Sequence, residues 1–214
     1  MKPLGFGSGP LRVLCLGAHS DDIEIGCGGT LLRLLAEHPG STVDWVVFSA
    51  SPQREVEARA SAADFLRDAP HKTVHVRNYR ESYFPAVWGD IKDYFDKLRR
   101  AVEPDVVFCH HVRDLHQDHR VVAELTWNTF RDHVLLEYEI AKWEGDLGQP
   151  NLYVPLARAI ADLKVELLQR HFASQASKPW FRPDTFHGLM SLRGVECLAP
   201  ESRAEAFHAR KLVF

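Results

Sequence analysis

Short apolar runs alternating with longer amphipathic stretches constrain this chain more than any other feature. Arg12 to Gly17 (RVLCLG) is a run of the kind a buried parallel strand carries. Val43 to Phe48 (VDWVVF), Thr73 to Val76 and Val106 to Phe108 are further runs of strand length. Helical signals lie between them. Thr30 to Glu37 (TLLRLLAE) is stopped by Pro39-Gly40, and Arg54 to Arg67 has a rough stripe of Val56, Ala60, Ala63, Phe65 and Leu66. Val87 to Val102 places Ile91, Tyr94, Phe95, Leu98 and Val102 at helical spacing. The order β-α-β-α-β-α-β predicts an α/β chain with a parallel sheet covered on both faces. In such sheets ligands bind outside the carboxyl ends of the strands. The segments after Gly17, Phe48, Val76 and Phe108 are therefore where chemistry is expected.

Beyond this point Asp118 to Phe130 reads as a helix, Val134 to Tyr138 as a strand and Leu156 to Phe172 as a long amphipathic helix. Ala173 to Pro200 is poorly patterned and contains Pro179, Pro183 and Gly188; it reads as a substrate-covering segment or as irregular packing. With 214 residues, no linker and no repeat, the expectation is one domain over 1–214. Its part from about 134 onward is expected to cover substrate or contact a second copy in a homo-oligomer.

Composition excludes several classes. A net charge of -3 gives no field that draws the chain to nucleic acid. No apolar run is long enough to span a bilayer. Met1 to Pro10 has no apolar segment of the signal-peptide type. Cys15, Cys27, Cys109 and Cys197 form no CxxC pair, and a disulfide framework is not expected. These points favour the cytoplasm.

Two clusters carry the chemistry. Gly17-Ala18-His19-Ser20-Asp21-Asp22 sends one imidazole and two carboxylates from the end of the first strand. Zinc accepts His nitrogen and Asp oxygen, and catalytic zinc keeps three protein ligands plus water. Helix capping by Ser20 or the acids explains the same residues. His110-His111-Val112-Arg113-Asp114-Leu115-His116-Gln117-Asp118-His119 packs four His and two Asp into ten residues after the fourth strand. A helix N-cap at Asp114 or Asp118 accounts for the acids but leaves the histidines unexplained. Gly26, Gly28 and Gly29 read as a tight strand-to-helix turn in preference to an anion site. No G-x-S-x-G nucleophile elbow occurs, and GFGSG at Gly5 to Gly9 precedes the first strand, so it is no dinucleotide fingerprint.

AHSDDIEIGCGGT resembles the A-H-P-D-D signature of the LmbE-like, or PIG-L, de-N-acetylases. PDVVFCHHVRDLHQDHR resembles their second motif, which ends H-x-D-H after a strand. Arg54 and Glu57 fall on the charged second helix of that family. The resemblance covers roughly the first 130 residues, with a weaker echo of Y-A-E-A-F at Arg203 to Phe207 (RAEAF). It implies a Rossmann-like, three-layer α/β/α fold with a mainly parallel sheet. It implies hydrolysis of an N-acetyl group from an amino sugar, free or carried on a nucleotide, glycan, thiol or lipid, with release of acetate. It implies His19, Asp22 and His119 as ligands of Zn2+, with Fe2+ or another divalent ion as alternatives. Asp21 matches the general base and His116 the group that stabilises the oxyanion in its protonated form. Asp118 matches the acid that orients His116. Ser20 replaces the usual Pro, and Ile23 stands where many members have Glu; the following Glu24 is expected in a structural salt bridge.

Arg54, Arg80 and Arg113 could each meet a sugar hydroxyl or phosphate, with Arg54 the first choice and a solvated charge the ordinary reading. Leu136 to Pro155 (LEYEIAKWEGDLGQPNLYVP) suits carbohydrate and a subunit interface equally. Trp180, Phe181 and Arg182 invite the same two readings, with packing ahead. Two other functions fit the same residues: a metal-dependent amidase for another amide, such as a thiol conjugate, and a noncatalytic sugar-binding protein on the same fold.

Overall fold

The computed structural model describes residues 5–213; of the N-terminal stretch, residues 1–4 lie outside them. Seven strands form one sheet: β1 (Arg12–Gly17), β2 (Thr42–Val47), β3 (His71–Val76), β4 (Val106–His110), β5 (Val134–Tyr138), β6 (Leu152–Pro155) and β7 (Ala204–Ala209). Their order is β3-β2-β1-β4-β5-β7-β6. The first five are mutually parallel, while β7 is antiparallel to both β5 and β6. Helices α1 (Asp22–Glu37), α2 (Pro52–Phe65), α5 (Arg158–His171) and α6 (Pro183–Glu196) pack on one face. Helices α3 (Trp88–Ala101) and α4 (Gln117–Thr129) cover the other. This is the Rossmann-like, three-layer arrangement expected of a βαβ chain.

The strand pattern explains the layers. In β1, Val13 and Cys15 enter the core under α1, α2 and α5, while Leu14 and Leu16 enter the core under α3 and α4. Both faces are buried, so the run is continuously apolar. Trp45 and Phe48 divide between the same two cores, and Phe48 stacks on Phe95 of α3.

Two expectations are corrected, and a third feature is new. The first helix begins at Asp22, so Gly26, Gly28 and Gly29 sit inside it and make no turn. They are there for close packing. A Cβ on Gly26 would stand 2.3 Å from the Tyr138 ring, and one on Gly28 2.6 Å from Phe65. Second, the stretch Ala173 to Pro200 contains α6, whose Phe186 and Met190 reach the core; Pro183 opens it at a position where a missing N–H costs nothing. Third, β6 and β7 carry no apolar run long enough to be read from sequence. The RAEAF segment lies on β7, and Glu205 within it is buried. Its carboxylate accepts from Gly29 N at 2.9 Å and Thr30 N at 2.6 Å, and pairs with Lys164 of α5 at 2.5 Å. Lys164 also donates to the carbonyl of Ile25 at 2.6 Å. A buried ion pair thereby ties the last strand to the middle of α1.

Candidate metal centre

Strand order reverses between β1 and β4, and both clusters leave the carboxyl ends of these two neighbours. The topology therefore brings His19, Asp21 and Asp22 against His110 and the 114–119 loop. His19, Asp21, Asp22, His110, Asp114, Asp118 and His119 are buried, His116 and Gln117 are half-buried, and Leu115 is exposed.

The capping reading of the first acids fails on geometry. Asp21 occupies the N-cap position of α1, but its side chain caps no backbone N–H. Its Oδ1 takes Arg54 Nη2 at 2.5 Å, and its Oδ2 is buried with no hydrogen-bond partner among the described residues. The two adjacent carboxylates point apart. Asp22 Oδ2 accepts from His19 N at 2.6 Å, and the carboxylate faces the imidazoles. His19 Nδ1 lies 3.4 Å from Asp22 Oδ2, His119 Nε2 lies 3.5 Å from Asp22 Oδ1, and the two ring nitrogens are 3.2 Å apart.

Each imidazole is held from behind by a carboxylate. Asp118 Oδ2 is 3.1 Å from His19 Nε2, and Asp114 Oδ2 is 2.9 Å from His119 Nδ1. An N–H donated to each acid leaves the opposite nitrogen as a lone pair facing inward, the arrangement that orients metal-binding histidines. Asp118 is itself fixed by Ser82 N at 2.6 Å and Phe84 N at 3.1 Å. This corrects one expectation: the carboxylate of Asp118 orients His19, not His116. His116 instead caps α4, accepting the Asp118 N–H on Nδ1 at 3.2 Å.

Besides the set His19, Asp22 and His119, which meets through both Asp22 oxygens, two triads offer one atom per residue with all three atoms within 4.8 Å of one another: His19, His116 and His119, and Asp22, His110 and His119. Hydrogen bonding separates them from the first. His110 Nε2 is already the acceptor for Ala18 N at 2.9 Å. His116 Nδ1 is engaged by the Asp118 N–H, which leaves a proton on Nε2 in the neutral ring. His110 packs the site instead, stacked on His119 with ring centroids 3.9 Å apart and edge-on to Tyr138.

The donor set fits a tetrahedral ion. Ligands about 2.0–2.1 Å from zinc are spaced about 3.3 Å from one another, close to the 3.2 Å between His19 Nδ1 and His119 Nε2, and the Asp22 carboxylate offers one oxygen to each side, 3.4 Å from His19 and 3.5 Å from His119. Inward lone pairs and a carboxylate need positive charge between them, from a proton or a metal ion. Asp21, Asp22, Asp114, Asp118 and Asp146 are buried or nearly so and outnumber the enclosed cations Arg54 and Lys142.

Titration follows the same layout. Burial opposes a charge on Asp22, but His119, His110 and His19 outweigh it and hold the carboxyl well below its usual range. Burial also opposes the His19 cation, yet Asp22 and Asp118 raise that imidazole to about 10. Burial, aided by His110, lowers His119 to about 3. Burial raises the Asp21 carboxyl against the pull of Arg54. Adjacent acids in one loop are thus driven in opposite directions.

The remaining expected residues fall elsewhere. Arg54 is spent on Asp21. Arg80 stacks on Tyr83 with its guanidinium 3.5 Å from the ring centre, and Arg113 is exposed. Glu24 is buried, and neither of its oxygens has a hydrogen-bond partner among the described residues, so the expected salt bridge is absent there. Burial raises its carboxyl well above the usual range. Phe181 packs into the core and Trp180 against it, as the packing reading held. Sequence reasoning assigned no supporting role in the metal centre to His110, Asp114 or Lys142. A buried histidine ending an apolar strand was a signal for His110. Lys142 gave none, because only the loop's path brings it to Asp114.

The family of GlcNAc-PI de-N-acetylases, PIG-L, matches residues 14–130. The chain is 28% identical over 173 residues to the uncharacterized deacetylase YaiS of Escherichia coli (strain K12), a match spanning 74% of this chain and 89% of that one. Among solved structures it resembles N,N'-diacetylchitobiose deacetylase from Pyrococcus horikoshii, with a TM-score of 0.68 at 20% identity over 93% of this chain and 83% of the other. It also resembles GalB, the 4-carboxy-2-hydroxymuconate hydratase of Pseudomonas putida KT2440, with a TM-score of 0.73 at 15% identity over 95% and 97%. At these identities the two structures share the fold, and one fold serves a deacetylase and a hydratase alike.

Proposed function

This chain belongs to the PIG-L family of de-N-acetylases, and from its buried donor set we propose a metal-dependent hydrolase that removes the acetyl group from an amino sugar. One observation carries the reading: the ring nitrogens of His19 and His119 stand 3.2 Å apart, each within 3.5 Å of a different oxygen of Asp22, next to a buried carboxylate oxygen of Asp21 with no hydrogen-bond partner among the described residues. His19, Asp22 and His119 would hold the ion, with zinc first among the candidates and Fe2+ the alternative. When bound, such an ion polarises a carbonyl and brings the pKa of water toward ~7.

The protein's own groups do the rest. Asp21 accepts a proton from the attacking water on its free Oδ2, while Arg54 keeps Oδ1 in place. The water oxygen bonds to the acetyl carbon, and charge collects on the former carbonyl oxygen. His116 faces that oxygen with Nε2–H. Because Nδ1 is tied to the Asp118 N–H, the neutral ring already carries its proton on the useful nitrogen. Burial, then the nearby His19, lowers the His116 imidazole from its ordinary value. The C–N bond breaks as the nitrogen takes the proton held by Asp21. Acetate and a free amine leave.

The reading extends to the whole chain, 1–214, as one working unit, with the segments after 134 bordering the substrate or a second copy. No helix among the described residues is long and apolar enough to cross a membrane. The test is acetate release from a panel of free, nucleotide-linked and glycan-linked N-acetyl amino sugars, run with zinc-loaded and metal-stripped protein. Turnover of at least one sugar that disappears on stripping and returns with zinc supports the reading. Release confined to non-sugar amides overturns the substrate class.

A further inference from the structure

The loop between β5 and β6 enters the site through one buried side chain. Lys142 is on a stretch without regular structure, yet its amine is enclosed between two carboxylates. It lies 2.6 Å from each oxygen of Asp146 and 3.1 Å from Asp114 Oδ2. Asp114 Oδ2 is the oxygen that receives His119 Nδ1, and Asp114 Oδ1 receives His116 N at 2.8 Å. Asp146 Oδ2 in turn receives Leu115 N at 2.7 Å.

A carboxylate fixed by one imidazole alone can rock about its Cβ–Cγ bond, and the imidazole rocks with it. Lys142 holds the same oxygen by its charge, 3.1 Å away, while its hydrogen bonds go to Asp146. The chain His119–Asp114–Lys142–Asp146–Leu115 then closes on the segment that also carries His116. We propose that Lys142 is a positioning residue for the metal-binding imidazole of His119, and that the 141–148 loop is latched to the metal centre through it. The inference rests on the reading of His119 as a ligand. By reciprocity, an ion that fixes His119 steadies the loop, and a loose loop weakens the ion's hold.

Two measurements on purified protein test this, with zinc alone as the probe. Competition against a chelator gives zinc affinity for the parent, Lys142→Met, Lys142→Arg and Asp146→Asn. Support for outer partners of metal ligands is typically worth 10–100-fold in affinity. Lys142→Met is expected to bind zinc about ten-fold more weakly, Lys142→Arg to recover most of that, and Asp146→Asn to fall between, although Asp146 touches no ligand. Hydrogen exchange on the parent avoids any question of misfolding, and residues 142–147 are expected to exchange more slowly with zinc than without. Parent-like zinc affinity in both Lys142→Met and Asp146→Asn, or loop exchange indifferent to zinc in a parent that binds it, overturns the inference alone. A parent that binds no zinc overturns the metal reading and this inference with it.

Discussion

In the half of the sheet formed by β3, β2, β1 and β4, every strand is parallel, and the carboxyl ends of β1 and β4 deliver His19, Asp21, Asp22 and the 110–119 segment to one crevice. In the other half, β5 continues the parallel run and the antiparallel pair β7 and β6 closes the edge. Its charged side chains do not join the donor cluster. They hold what holds it: Lys142 grips Asp114, and Glu205 with Lys164 grips the middle of α1. The family match ends at residue 130, where the first half ends. On the proposed reading the parallel half supplies the reacting groups, and the contacts of Lys142 and Glu205 brace them from the other half.

That division predicts different symptoms from the two halves. The largest effect belongs to the parallel half. His19→Ala removes an inward donor and the partner of Asp118, so stoichiometric zinc in elemental analysis and acetate release should both be lost. Zinc retained at one per chain in that variant would break the comparison at its strongest point. Next comes the bracing half. Glu205→Gln leaves Lys164 charged and buried without its counterion. Loss of one partner from such a pair typically costs ~3–5 kcal/mol. For a domain of this size each kcal/mol shifts Tm by roughly 2–4 °C, so the metal-free protein should melt on the order of 10 °C lower while still binding zinc one to one. His116→Ala, back in the parallel half, should show the reverse. It should keep zinc and near-parent Tm while kcat falls about 10²–10³-fold, the usual loss for one oxyanion donor. Emptying of the metal site in His116→Ala would exchange its role with that of a ligand.

The same contrast governs what the sequence makes visible. Buried parallel strands are apolar on both faces, so RVLCLG and VVFCH announce themselves, and with them the loops that follow. The clusters at His19–Asp22 and His110–His119 are dense enough to be read without coordinates. Edge strands and bracing contacts leave weaker marks. β7 reads AEAFHA, with a buried glutamate where an apolar residue would have signalled a strand. α6 has few core residues between Pro183 and Gly188 and the exposed Leu192 and Val195. Glycines usually punctuate loops, which hid the start of α1, where they serve the approach of Tyr138 and Phe65. Which histidine Asp118 orients depends on rotamers, and no spacing rule supplies those.

The account turns on the division of labour between two neighbouring carboxylates, one facing the imidazoles and one left with a free oxygen. Zinc content and acetate release, measured side by side for Asp21→Asn and Asp22→Asn, test it most directly. Asparagine keeps the shape of Asp21 but accepts no proton, so Asp21→Asn should retain one zinc per chain while kcat drops by ~10²–10⁴ or more. Asp22→Asn should lose stoichiometric zinc. The opposite pattern, with zinc lost from Asp21→Asn and kept without turnover in Asp22→Asn, would contradict the assignment, and parent-like rates in both would contradict the metal-hydrolase reading itself.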